Sequence, residues 1–391
     1  MKKKILFVMP NLKTGGVQTA FLNLIEEIKD DPNLDVDLFI FDTDDVDILP
    51  DKVKVLPVGK LTRLLTVSQK TIEKESKVLA LVRLAMGGIA KFVVDHYAYS
   101  LAFLFEKTLK GYDAAISFCQ SGPSHSLYGG MNEFVMSKVE AKKKITVLHC
   151  DYAEAGLDTL YNCDLYQLFD KICAVSEGVK EAFLACVPEC EEKMAIMHNC
   201  HDFHKMLYLG NKDTVEYDTS VLNILTVARV TPEKGHLRAL DALYQLKEDG
   251  LRFMWHVVGD GDDMEALKEK IDEYNMSRNV ILYGNQENPY RFYKNADVLL
   301  VPSCHEAAPM VFGEAEFFCV PIVATRTTST NELVTERNIG FVCENSTSGI
   351  YKAFEYILKN PDTIRKIKQF EREKISNSQA IREFYDVIEG A

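Results

Sequence analysis

Two series of short apolar runs, each long enough for a strand and each separated from the next by room for a helix, limit most tightly how this chain can fold. The first series is Lys4 to Met9, Val36 to Ile40, Ala114 to Phe118, Lys144 to Leu148 and Lys171 to Val175. The second is Leu222 to Ala228, Phe253 to Val258, Val280 to Tyr283, Val298 to Val301 and Pro321 to Ala324. Continuous apolar strands alternating with helices are strands buried on both faces, and that requires parallel sheets covered on either side. The predicted fold class is therefore α/β, in two halves. A chain of 391 residues can fill two cores, and the polar stretch from Leu209-Gly210 to Ser220 reads as the linker between them.

Charge narrows the partners. A formal net charge of −13 repels phosphate backbones and argues against nucleic acid as a ligand. The charge is uneven, with 15 Lys/Arg against 7 Asp/Glu between Lys52 and Lys144. The 10 cysteines form no CxxC pair, and the apolar run behind Met1 is too short for a secretory leader, which together predict reduced thiols and a cytoplasmic location. The most apolar stretch, Val78 to Val94, is interrupted by Arg83 and Lys91, so no membrane span is expected.

The residues that carry chemistry follow the strands. Gly15-Gly16, after the first strand and before a helix, suits close approach of backbone N–H groups to an anion, although the full GxGxxG dinucleotide pattern is missing. Arg229 and Lys234-Gly235 follow the first strand of the second half, at the strand end where open α/β sheets bind ligands. Two cations there suit a diphosphate, Arg through a fork of donors and Lys as a point charge. Gly259-Asp260-Gly261 is a tight turn after the next strand. The strongest signal is Ser303-Cys304-His305-Glu306-Ala307-Ala308-Pro309-Met310-Val311-Phe312-Gly313-Glu314, two carboxylates eight positions apart with a proline placed to open a helix between them. Eight helical steps rise about 12 Å. That span suits the two ends of an elongated ligand better than a carboxylate pair held about 5 Å apart for double displacement.

These motifs, in this order and over nearly the whole chain, resemble the retaining nucleotide-sugar-dependent glycosyltransferases of the GT-B fold, family 4. Glu306 and Glu314 match the family's E-x7-E motif, Arg229 and Lys234 its phosphate loop, Gly259 and Gly261 its strand-end turn, Gly15 and Gly16 its N-terminal glycine loop, and Val175-Ser176-Glu177 its strand-Ser-Glu segment. The resemblance implies two Rossmann-like domains with parallel sheets facing across a cleft. It assigns residues 1–205 to an acceptor domain and 206–377 to a donor domain, with a last helix, 378–391, returning to the first. It further implies that Arg229 and Lys234 hold the donor diphosphate, Glu314 the ribose and Glu306 the transferred sugar. The amides near Met310 and Val311 would face sugar or phosphate, and Tyr283-Gly284-Asn285-Gln286 would cradle the base, with a UDP-sugar favoured. His149, in Thr146-Val147-Leu148-His149, matches the histidine that lies at the sugar, so Glu306, His149, Arg229 and Lys234 are the expected catalytic set. The chain departs from the family where Ala307-Ala308-Pro309-Met310 replaces a glycine-bearing segment, which leaves the sugar undetermined.

Neither a cofactor nor a metal is expected. His198, His201 and His204 are spaced so that helical positions converge poorly, and Asn199 matches the asparagine of the family's interdomain segment. Residues 60–94 carry Leu61, Leu64, Leu65, Val78, Leu81, Leu84 and Ile89 among Arg63, Lys70, Lys74, Lys77, Arg83 and Lys91. Two readings stand for them: core helices with solvated lysines, or peripheral contact with the inner face of a membrane. The expected reaction is hexosyl transfer from a nucleoside diphosphate sugar to the hydroxyl of a saccharide or lipid-linked acceptor, in bacterial surface polysaccharide or glycolipid synthesis. The alternatives are a non-catalytic partner subunit of another transferase, or a nucleotide-sugar epimerase or hydrolase on the same fold.

Overall fold

The run Ile5-Leu6-Phe7-Val8-Met9 is wholly inaccessible to solvent, because strand β1 (Lys3–Met9) lies in the interior of a parallel sheet. The computed structural model describes residues 2–13, 15–90, 99, 101–120, 122, 129–367 and 375–390. The first sheet also contains β2 (Leu34–Ile40), β3 (Lys54–Leu56), β4 (Leu109–Ser117), β5 (Val139–Leu148), β6 (Lys171–Ala174) and β7 (Met194–Ile196), in the order β3-β2-β1-β4-β5-β6-β7. Phe7 is in register with Leu38 on one side and Ile116 on the other.

The second sheet contains β8 (Leu222–Val227), β9 (Phe253–Val258), β10 (Val280–Leu282), β11 (Val298–Val301), β12 (Ile322–Thr325) and β13 (Gly340–Cys343), in the order β10-β9-β8-β11-β12-β13. Its two faces carry separate cores, one around Trp255, Leu243 and Phe354 and one around Tyr293, Phe312 and Val334. The chain divides into two units, Met1–Cys200 with Asn377–Ala391, and His201–Ser376. In each sheet the strand order reverses beside the first strand, between β1 and β4 and between β8 and β11, and crevices that accept ligands open at such switch points.

The helix Ser378–Glu389 packs on the first unit through Ala380, Phe384, Val387 and Ile388, an i, i+4, i+7, i+8 stripe. Phe384 stacks on Phe7 with ring centres 6.3 Å apart, and Asn377 donates to Glu27 at 2.8 Å. Ala391, at the end of the expected helix, lies outside the described residues.

The stretch 60–94 forms helices Lys60–Thr66, Gln69–Glu75 and Lys77–Ala90, while residues 91–94 and the side chain of Ile89 lie outside what is described. Leu65 is buried, but Val78, Leu81 and Leu84 are 70%, 67% and 63% exposed. Arg83 is the buried member of that last helix, its Nε donating to the Val67 carbonyl at 2.7 Å. The core-helix reading therefore fails for Val78, Leu81 and Leu84: the charged residue points inward and the apolar ones point out. No described helix is long and apolar enough to cross a membrane.

Candidate active site

The loops leaving β8, β9 and β10 lie directly on one another, and glycine makes this possible. Gly259 adopts φ +142, and a Cβ there would run into the Ala228 carbonyl oxygen. Ala228 N donates to Val258 O at 3.1 Å, Val230 N to Asp260 O at 3.1 Å and Gly259 N to Gly284 O at 2.9 Å. Gly261, one step further, donates its N–H to Asp260 Oδ1 at 2.8 Å. Gly235 closes the turn that carries Lys234 with φ +69, and a Cβ there would strike the Pro302 carbonyl, so the loops after β8 and β11 are also in contact.

That contact sets the charged centre. Lys234 Nζ lies 2.6 Å from Glu306 Oε1, with the two side chains only 20% and 12% exposed. Ser303 Oγ donates to the same carboxylate oxygen at 2.7 Å. Arg238, on the first turn of helix His236–Glu248, donates to Pro302 O at 2.6 and 2.9 Å and to Ser303 O at 2.7 Å, which fixes the loop that presents Glu306. Arg229 stands on the same β8 loop but is 68% exposed and pairs with Glu233 at 3.2 Å.

Glu314 occupies a different environment, inside helix Met310–Phe317. It is 8% exposed and accepts a hydrogen bond from Tyr293 Oη at 2.7 Å. Burial disfavours the charged carboxylate and pushes its pKa up to about 7, against the opposing hydrogen bond from Tyr293. Pro309 caps this helix instead of occupying its first turn, so the leading amides belong to Met310 and Val311. Behind the same turn, His201 Nε2 lies 3.1 Å from Met310 O, and Gly313 leaves the space that the His201 ring fills. Burial pushes the His201 pKa down to about 4, so the imidazole is neutral and Nε2 must carry the proton that the carbonyl accepts.

Other expected residues are placed as follows. The Tyr283 hydroxyl is 3.0 Å from His256 Nδ1 and its ring meets Phe292 edge-on, while Asn285 is exposed beside it. In the first unit, Gly15 caps helix Gly16–Ile28, and Lys13 before it bonds Asp42 at 2.5 Å and Thr71 at 2.7 Å. His149 follows β5, tilted against Phe118 with centres 5.1 Å apart, and its Nε2 is buried without a hydrogen-bond partner. Burial lowers its pKa to about 3, so the ring is neutral. Ser176 is the N-cap of helix Glu177–Cys186, accepting from Val179 N at 3.2 Å. His198 and His201 go to separate places, His198 to Glu383 at 2.9 Å and His201 to Met310, while His204 is exposed. No group of three or more His, Cys, Asp or Glu side chains arranged for a metal ion occurs among the described residues.

Residues 215–374 match the family described as glycosyl transferases group 1. The matched residues all lie within the second unit. The amylovoran biosynthesis glycosyltransferase AmsD of Erwinia amylovora is 25% identical to the chain over 159 residues, covering 41% of this chain and 44% of its own. The capsular polysaccharide biosynthesis glycosyltransferase CapM of Staphylococcus aureus is 22% identical over 228 residues, covering 56% and 60%. Each match thus spans less than two thirds of the relative's length. The crystal structure of Anabaena HepE in complex with UDP and glucose superposes with a TM-score of 0.69 at 15% identity over 100% of both chains. A likeness of that kind fixes the fold, which is GT-B: two Rossmann-like units, each built on a parallel sheet. The matched segment holds Arg229, Lys234, Glu306 and Glu314; Arg238, Tyr293 and His201 are partners that the motifs did not announce.

Proposed function

We propose that the protein is a retaining glycosyltransferase that moves a hexosyl group from a nucleoside diphosphate sugar, with UDP as the favoured nucleotide, to the hydroxyl of a saccharide or lipid-linked acceptor in bacterial surface polysaccharide or glycolipid synthesis. The observation that carries this reading is the convergence of Lys234, Ser303 and Glu306 at the switch point of a group 1 domain. The buried Glu314 stands one helix turn beyond the amides of Met310 and Val311.

In this reading Arg229 and Lys234 receive the diphosphate, Glu314 accepts from the ribose hydroxyls and Glu306 from hydroxyls of the sugar. The loop Tyr283 to Gln286 receives the base. The acceptor oxygen attacks the anomeric carbon on the face from which the phosphate leaves. The carbon–oxygen bond to phosphate breaks with its electron pair on the phosphate oxygen, and that oxygen takes the acceptor proton. The two cations stabilise the charge that develops there, so the reading requires no metal. His149, on the first unit, is assigned to the sugar by family resemblance, and its neutral ring suits a hydrogen-bonding role better than an ionic one. Retention of both carboxylates and both cations favours an enzyme over a non-catalytic partner subunit.

Calorimetric titration with UDP, GDP and ADP tests the donor site. One nucleotide binds the wild type, and Lys234→Ala and Glu314→Ala each weaken it at least about tenfold, which corresponds to about 1.4 kcal/mol. Absence of binding by all three nucleotides overturns the reading. Proton NMR of the first product formed from the matching sugar nucleotide then reports whether the anomeric configuration is kept.

A second element of the proposal is peripheral contact with the inner face of a membrane, favoured by the outward row Val78, Leu81 and Leu84 next to the exposed Lys70, Lys74 and Lys77. Apolar insertion combined with attraction to anionic lipid is the physics of such contact.

A further inference from the structure

Lys234, the compact cation of the phosphate loop, is already engaged in the free protein. Its ammonium is 2.6 Å from Glu306 Oε1, and neither side chain is more than 20% exposed, so water screens the pair weakly. Glu306 is also held in place, because Ser303 donates to the same Oε1 and Arg238 clamps the carbonyls of Pro302 and Ser303. A diphosphate that reaches Lys234 therefore meets a cation whose charge is balanced and a carboxylate that cannot easily withdraw. Arg229, 68% exposed, also meets a carboxylate, Glu233 at 3.2 Å, but there water screens the pair.

We infer that Glu306 sets the affinity of this site for the nucleoside diphosphate and weakens it for the bare diphosphate in particular. Two anionic groups then share one ammonium, and the like-charge term opposes binding. A sugar still attached to the diphosphate changes the balance, since its hydroxyls donate to the oxygen that Lys234 and Ser303 leave available, Oε2. Glu306 thus discriminates the complete donor from the diphosphate left after transfer, and favours release of the latter. The inference rests on the donor-site reading above.

The test compares wild type, Glu306→Gln, Ser303→Ala and Lys234→Met by calorimetric titration with UDP, GDP and ADP and with UDP-glucose, GDP-mannose and ADP-glucose. Gln has the shape of Glu and its one carbonyl oxygen still accepts from Ser303 and Lys234, so the substitution removes the charge and turns the second oxygen from an acceptor into an N–H donor. Glu306→Gln is expected to bind the bare diphosphate about tenfold more tightly, while its affinity for the matching sugar nucleotide rises less or falls. Ser303→Ala, which loosens the carboxylate but keeps its charge, should change diphosphate affinity less than Glu306→Gln does, and Lys234→Met should weaken both ligands. If the wild type binds a nucleotide and Glu306→Gln binds it equally or more weakly, the inference is wrong and the donor site stands. An effect of Ser303→Ala as large as that of Glu306→Gln also overturns it, since loop packing would then be the cause. If no nucleotide binds the wild type, the donor-site reading fails and the inference fails with it.

Discussion

Glu314 is the residue whose proton the fold governs most directly. Burial raises its carboxyl to about 7 from an ordinary 4.5, so the native state holds a proton that the unfolded chain releases. The stability that this neutral form contributes is fully present below about pH 4.5 and is lost as the pH rises through about 7. Glu314→Gln, neutral at every pH, should therefore be more stable than wild type at pH 8 and nearly equal at pH 5, as urea midpoints would show. Ligand binding runs the other way. If Glu314 accepts from the ribose as proposed, nucleotide binding selects the ionised form, and affinity should rise between pH 6 and pH 8 with release of a proton. Titration in two buffers of different ionisation enthalpy measures that proton, and Glu314→Gln separates it from titration of the nucleotide's own phosphate. Equal proton release by wild type and variant would exclude Glu314 from the ribose site. His201 and His149 are neutral in the folded protein down to about pH 4 and pH 3 but take up protons in the unfolded chain below about 6.5, so they oppose this slope; both are present in wild type and Glu314→Gln and cancel from the comparison.

Among the elements, helix Met310–Phe317 depends on a contact that its own sequence does not announce. The His201 ring occupies the space beside Gly313 and donates to Met310 O, so ring and glycine form one fitted pair. Gly313→Ala alone should destabilise the second unit, since its Cβ would collide with the ring. His201→Ala alone should cost roughly 1–3 kcal/mol through the lost hydrogen bond and the void left behind. The double variant should be more stable than the sum of the single losses predicts, a coupling that urea denaturation of the four proteins would reveal. The same contrast explains what the sequence disclosed. Central strands such as β1, β8 and β11 are legible because burial on both faces forces uninterrupted apolar runs. Edge strands β3, β7 and β13 leave no such mark, for a strand of three or four residues that is only partly buried needs no uninterrupted apolar run. In the candidate site, the spacing of Glu306 and Glu314 foretells their placement, one in a loop and one inside a helix. Nothing comparable marks Arg238 and His201, because their partners are backbone carbonyls, which leave no mark on composition. Tyr293 and Glu314 meet only because β11 lies between them in the chain and beside them in the fold.

At the scale of the whole molecule, the first unit is completed by the C-terminal end of the chain and carries an outward apolar row, and each feature makes its own demand. Phe384 is fully buried against Phe7, so Phe384→Ala should cost about 3–5 kcal/mol. Hydrogen exchange should then lose protection in β1 and β4 and keep it in β8 and β11, since the helix belongs to the first unit. The apolar row is a different case, because Val78, Leu81 and Leu84 gain nothing from the fold that exposes them. Seating one leucine in an apolar phase stabilises by about 1.5–3 kcal/mol when complete and less at an interface. Removing two of them should therefore weaken binding to lipid about tenfold or more, given about 1.4 kcal/mol per tenfold. Sedimentation with vesicles of phosphatidylglycerol and phosphatidylcholine should pull down the wild type, and vesicles of phosphatidylcholine alone should do so weakly, since Lys70, Lys74 and Lys77 respond to the anionic headgroup. Leu81→Ser with Leu84→Ser should remain in the supernatant yet melt within a few degrees of wild type, because exposed substitutions change stability by no more than about 0.5 kcal/mol. Raised salt should release the wild type in part and leave the apolar contribution standing. If the double variant sediments as well as the wild type, the leucine row does not touch the bilayer, and its exposure must serve a protein partner instead.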